Sequence, residues 1–152
     1  MYAEHRVLVG VDGGPAGRAA LLAASQQAER NDMTVVALHV RRGLTPVEAL
    51  GSAFAGAGGT CWLDYRDDSE LAAWLDCVQA LEAAGIRWQF LVREGDPAVR
   101  LSQTADEIDA DSICLATKPR PWWARGFHHC PARALASQHD RPVRIVQYDD
   151  HS

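Results

Sequence analysis

At 152 residues, 47% hydrophobic and 23% charged, the chain has the make-up of one folded domain (1–152) with a sizeable core, and not of a disordered segment. A formal net charge of -5 excludes a protein whose whole surface attracts polyanions, so no nucleic-acid partner is expected. No apolar run approaches the ~20 residues of a membrane span, so no membrane partner is expected either. The start, MYAEHRVLVG, lacks the basic region and longer apolar stretch of a secretory signal, and a cytoplasmic protein is expected. The four cysteines (Cys61, Cys77, Cys114 and Cys130) form no C-x-x-C pair. They read as free thiols, with Cys77 and Cys114 buried in apolar patterns.

Arg6 to Val11 is a short continuous apolar run, a buried strand that ends in the turn Asp12-Gly13-Gly14. Pro15 falls at an early helical position, and Ala16, Ala20, Ala24 and Ala28 then mark a small-residue face, with Leu21 and Leu22 beside it, to about Arg30. Met33 to Val40 is a second strand. From Arg41 to Arg66 the chain is punctuated by Gly51, Gly56, Gly58 and Gly59. So long a connection reads either as a flexible flap over the carboxyl edge of the sheet or as a disordered insertion.

Asp67 with Glu70 has the spacing of a capping box. Leu71, Trp74, Leu75, Val78 and Leu81 follow as one helical face, with Gly85 closing the helix. Ile86 to Val92 is a third strand. Gly95-Asp96-Pro97 opens a helix with Ala98, Leu101, Ala105 and Ile108 on its buried face. Ser112 to Ala116 is a fourth strand, Pro131 to His139 a short helix, and Pro142 to Gln147 a fifth strand. Strands alternating with helices imply parallel pairing and right-handed crossovers, hence a single doubly wound α/β domain with helices on both faces.

The stretch from Ser112 to Leu135 gathers Lys118, Arg120, Arg125 and Arg133 with His128 and His129 in the loop after the fourth strand. In an open parallel sheet, ligands bind at the carboxyl ends of the strands beside the switch point. Trp122 and Trp123 in that loop either stack a base, or fold over and fill the pocket or plug a partner's surface. His128-His129-Cys130 carries metal-ligating chemistry, but adjacent residues rarely hold one ion together. Gly10, Gly13, Gly14 and Gly17 do not make G-x-G-x-x-G, and Arg41-Arg42 stand where an NAD site needs an acid.

The chain resembles the universal stress protein family almost end to end. The likeness rests on RVLVGVDGG with the alanine-rich helix behind it, on LHV closing the second strand, and on VREGDPAVRLSQTADEIDADSICLAT. The resemblance implies a Rossmann-like five-stranded parallel sheet in the order 3-2-1-4-5, a dimer, and no dedicated catalytic machinery. ATP-binding members carry Gly-x2-Gly-x9-Gly-[Ser/Thr] after the fourth strand, and the matching positions here are Ala116, Pro119, His129 and Cys130. Pro119 has no N–H, His129 puts an imidazole in the polyphosphate's path, and Cys130 replaces a hydroxyl with a weak S–H donor. Losing two or three donors at ~1–3 kcal/mol each weakens binding by orders of magnitude. Asp12 and Val40 match positions that contact the adenosine half. Asp12 is equally a turn former.

These readings converge on a non-enzymatic, dimeric stress-response or regulatory protein with a degenerate nucleotide site at Asp12, Val40, Ala116, Lys118, Pro119, Arg120, His129 and Cys130. No cofactor is expected, with ATP or another adenine nucleotide as the alternative occupant. A nucleotide or phosphometabolite binding module using the cationic loop 118–133 is the second reading, and a thiol- or metal-dependent enzyme centred on Cys130 and His129 the third. The dimer is expected through the edge strand, at Val143, Ile145 and Val146, where an uncovered apolar edge invites a second copy. A further protein partner is left open.

Overall fold

The computed structural model of the chain describes residues 4–41, 69–117 and 141–148. Asp67, the connection through 66, the cationic loop from Lys118 and the helix expected at 131–139 lie outside the described residues. β1 (Arg6–Gly10), β2 (Thr34–Arg41), β3 (Trp88–Glu94), β4 (Ser112–Thr117) and β5 (Val143–Gln147) form one sheet. Its order is β3-β2-β1-β4-β5, and every neighbouring pair is parallel. The expected order and architecture are those of the structure.

The strands read as unbroken apolar runs because both faces of the sheet are covered. Val7, Val9, Val35, Ala37 and Cys114 meet α1 (Pro15–Asn31) and α2, which is helical over 69–77 and runs into a π-helical turn at Val78–Glu82. Leu8, Val36, Leu38, Ile113 and Leu115 meet Leu101 and Ala105 of α3 (Pro97–Glu107) on the other face. Each fully buried leucine or isoleucine contributes about 1.5–3 kcal/mol.

α3 starts as its sequence requires. Asp96 is the N-cap and accepts from the Val99 N–H, Pro97 opens the helix, and Gly95 sits at φ 127. β3 begins two residues later than expected because the Gly85 N–H bonds Glu82 and the Ile86 N–H bonds Leu81, so Ile86 is spent closing α2. It runs on to Glu94 because β2 reaches Arg41, whose carbonyl accepts the Gly95 N–H at 2.9 Å.

The buried face of α2 differs from its apolar periodicity. Leu81 is buried as expected, but Ala73 and Cys77 share that burial, while Leu71, Trp74 and Leu75 are exposed. The cause is close approach: a Cβ at Gly13 would lie 2.7 Å from the Ser69 carbonyl oxygen and 3.1 Å from Ala72 Cβ. Only small side chains fit between α2 and the β1–α1 turn, so the large ones turn outward. On α1, Ala20, Ala24, Ala28 and Leu21 are buried as expected and Ala16 partly so, whereas Leu22 is exposed.

Candidate functional site

β1 is flanked by β2 and β4, with α1 and α2 on one face of the sheet and α3 on the other. The strand order reverses at β1, which makes the carboxyl ends of β1 and β4 the switch-point crevice. The described part of this crevice is built from the β1–α1 turn, the end of β2 and the end of β4.

Asp12 opens the turn. Its Oδ1 accepts the Gly14 N–H at 2.9 Å and the Gly17 N–H at 3.0 Å. Gly14, the formal N-cap, has no side chain to do this, so Asp12 supplies the acceptor at the positive end of α1. The turn needs Gly13 at φ 77. Among the described residues nothing engages Oδ2, so one oxygen of the carboxylate forms the turn and the other is left unengaged.

The end of β2 holds the residue that sequence reasoning passed over. His39 is 5% exposed, and its Nδ1 lies 3.0 Å from the Val11 carbonyl oxygen. A carbonyl only accepts, so Nδ1 carries the proton and donates. The usable signal was a histidine within the otherwise apolar run VVALHV. Val11 lies just past β1, which therefore ends one residue earlier than expected, and its N–H donates to Leu38 at 3.0 Å.

Main-chain groups of a strand alternate between its two neighbours. Thr34 and Leu38 bond toward the β1 side, whereas Val35 and Arg41 bond toward the β3 side. Val40 therefore presents its N–H and C=O toward β1, level with the point where β1 has left the sheet. Among the described residues nothing pairs with this peptide edge, a donor and an acceptor side by side next to the turn that carries Asp12. Ala116 stands on the opposite wall, since the pairing of Val9 with Cys114 puts it level with Val11.

Charges around the rim are committed to one another. Arg41 Nη2 lies 2.6 Å from Glu70 Oε2, and its Nη1 lies 3.9 Å from Glu94 Oε1. Arg41 is therefore held between two carboxylates at the rim. Asp76 of α2 is 13% exposed at its side chain and 3.8 Å from Arg18. Burial pushes its carboxyl above the usual aspartate range, Arg18 draws it down, and Asp12 pushes it up again. Burial also pushes the thiol of Cys77 to about 12 and that of Cys114 to about 11, so both are packing groups, as the apolar pattern implied.

Lys118, Pro119, Arg120, His129 and Cys130 lie outside the described residues. Of the edge-strand residues, Ile145 is exposed while Val143 and Val146 are partly buried. The Ile113 N–H donates to the Pro142 carbonyl, so Arg144 and Val146 also bond β4, whereas the main chain of Val143, Ile145 and Gln147 faces outward.

Residues 4–147 match the model of the universal stress protein family. No curated protein sequence matches the chain. Among solved structures, the chain is similar to a universal stress protein from Archaeoglobus fulgidus, with TM-score 0.65, 19% identity, and coverage of 96% of this chain and 99% of that one. It is similar to the universal stress protein UspA of Lactobacillus plantarum, with TM-score 0.69, 18% identity, and coverage of 95% and 99%. A universal stress protein solved in complex with cAMP superposes with TM-score 0.66 at 20% identity over 95% of this chain and 98% of that one. The Archaeoglobus fulgidus protein in complex with dAMP superposes with TM-score 0.61 at 16% identity over 96% and 99%.

Proposed function

Since the chain belongs to the universal stress protein family, we propose that it is a non-enzymatic regulatory domain of the stress response whose crevice takes an adenine nucleoside monophosphate in preference to ATP. The observation that carries this reading is the pairing, at the switch point, of the open Val40 peptide edge with the unengaged Oδ2 of Asp12. A donor and acceptor side by side fit the edge of an adenine ring, and a carboxylate oxygen fits a ribose hydroxyl. Two solved relatives, one bound to cAMP and one to dAMP, support a monophosphate as the ligand class.

The phosphate side points the same way. Pro119, His129 and Cys130 stand where ATP-binding members have two glycines and a hydroxyl, and main-chain N–H groups are what cradle a polyphosphate. A single phosphate needs fewer of them. The non-enzymatic reading is supported by the commitments of reactive groups among the described residues: Asp12 Oδ1 caps a helix, His39 Nδ1 holds a carbonyl, and Cys77 and Cys114 are buried thiols. We further propose a cytoplasmic homodimer joined through β5. No helix among the described residues is long and apolar enough to cross a membrane.

Calorimetry with AMP, cAMP and ATP tests the reading. AMP or cAMP is expected to bind more tightly than ATP, and the triple change Pro119→Gly, His129→Gly, Cys130→Ser to tighten ATP by about tenfold or more. Low-micromolar ATP binding by the unaltered chain, or no binding of any adenine nucleotide at millimolar concentration, overturns it.

A further inference from the structure

We propose that His39 is the positioning residue of this crevice: its ring takes the Val11 carbonyl that the Val40 N–H would otherwise pair with, and so keeps the Val40 peptide edge open to a ligand. For the ligand, an adenine ring, the proposal rests on the reading above. For the geometry it stands on the structure alone.

In a parallel ladder, a residue donates to the residue before its partner and accepts from the residue after it. The Val11 N–H donates to Leu38, which sets Val11 opposite His39. Regular continuation would then send the Val40 N–H to the Val11 carbonyl. The donor that reaches this oxygen is instead the His39 ring, at 3.0 Å. Gly13, at φ 77, turns the chain away immediately afterwards, so nothing on β1 beyond Val11 replaces the pairing.

The choice of residue is informative. Val35 and Ala37 share the face of β2 with His39 and are fully buried, so an apolar side chain would fill the position without burying an imidazole. A buried polar ring is retained at a cost unless it makes its bond. The bond it makes fixes the β1–α1 turn, with Asp12 on it, against the end of β2, with Val40 on it. The two walls of the crevice are thereby held in register by one side chain that touches no ligand itself.

The test compares the unaltered protein with His39→Leu and His39→Asn, using residue-resolved amide hydrogen exchange without ligand and calorimetry with AMP. The side-chain amide nitrogen of asparagine falls where Nδ1 does, so this variant keeps the donor. In the unaltered protein and in His39→Asn, the Val40 amide is expected to exchange like an unpaired one. In His39→Leu it should slow by about tenfold or more as it closes onto Val11, and AMP should weaken by about tenfold. A purely structural role for His39 would loosen neighbouring amides and would not protect this one. A Val40 amide already as protected as that of Leu38 in the unaltered protein overturns the proposal, as does unchanged Val40 exchange in a folded His39→Leu. If AMP fails to bind the unaltered protein, the ligand reading falls while the Val40 exchange still decides the role of His39. Should His39→Leu not fold, the nitrogen NMR signature of the ring decides: an Nδ1–H ring supports the proposal, and an Nε2–H neutral tautomer overturns it.

Discussion

Gly17→Ala reverses the usual sign of a glycine substitution. Within a helix, alanine is favoured over glycine by about 1 kcal/mol. Here a Cβ would meet Asp12 Oδ1 at 2.7 Å, the Asp12 nitrogen at 2.9 Å and Val11 Cα at 3.3 Å. Two of these atoms are main chain and cannot rotate aside. Forcing a methyl into such a space costs about 1–3 kcal/mol. The displaced carboxylate also loosens the two N–H bonds it accepts, each worth about 1 kcal/mol. Against the propensity gain, a net loss of about 2 kcal/mol is expected, equivalent to a Tm lower by about 2–4 °C for each kcal/mol at this size. Urea unfolding should show a lower midpoint with an unchanged slope. In an Asp12→Ala background the loss should shrink, because part of the clash and both bonds are then absent. A Gly17→Ala protein as stable as the unaltered one refutes the packing of this turn.

Leu81→Ala is expected to cost about 2–5 kcal/mol, whereas Trp74→Gln, on the outward side of α2, should stay within about 0.5 kcal/mol. A cost for Trp74→Gln comparable to that of Leu81→Ala in urea unfolding would restore the face suggested by the apolar periodicity. Because the folded state holds the Asp76 proton more tightly than the unfolded chain, stability falls as pH rises from the ordinary aspartate value through the raised one. Asp76→Asn should therefore be the more stable protein near neutral pH, with the advantage gone below about pH 3.9; a loss of stability confined to neutral pH would contradict this. Ile145→Pro should convert the dimer proposed through β5 to a folded monomer, because the lost N–H faces outward and not toward β4. Light scattering checks this, and an unaltered chain that is monomeric at micromolar concentration removes the premise. Alkylation mapped by peptide should leave Cys77 and Cys114 unreactive in the native protein. Against them, fast labelling of Cys130 with an apparent pKa below about 8.5 would mark a thiolate at the start of the helix expected from Pro131, and ordinary reactivity a packing role.

The sheet was legible because a parallel sheet covered on both faces writes its strands as unbroken apolar runs, and RVLVG, TVVALHV and SICLA are such runs. The start of α3 was legible because Gly95, Asp96 and Pro97 each answer one local demand of a helix N-terminus. The inward face of α2 was not. It depends on how near Gly13 comes to Ala72, a distance between segments that no periodicity within α2 encodes. The ion pair of Glu70 with Arg41, far away in the sequence, was not legible for a related reason: it depends on where the end of β2 meets α2. The role of His39 was not legible because it depends on where β1 ends relative to β2, a fact of pairing and not of composition.

The two sides of the crevice answer to different chemistry, and this is why family membership leaves the ligand open. On the proposed reading, the recognition groups on the β1–β2 side are a peptide edge and one carboxylate oxygen. A peptide edge carries no side-chain identity, so it persists wherever β1 stops short of β2 and something other than the next N–H satisfies its last carbonyl. On the β4 side, the family's phosphate recognition is expected to depend on main-chain donors, and exchanging glycine for proline or histidine changes those donors themselves. A chain can thus keep the fold and the adenosine side under wide sequence change while its phosphate side drifts. On this reading Pro119, His129 and Cys130 decide how many phosphates the protein accepts, and His39, by holding Val11, decides whether the adenine side is open at all.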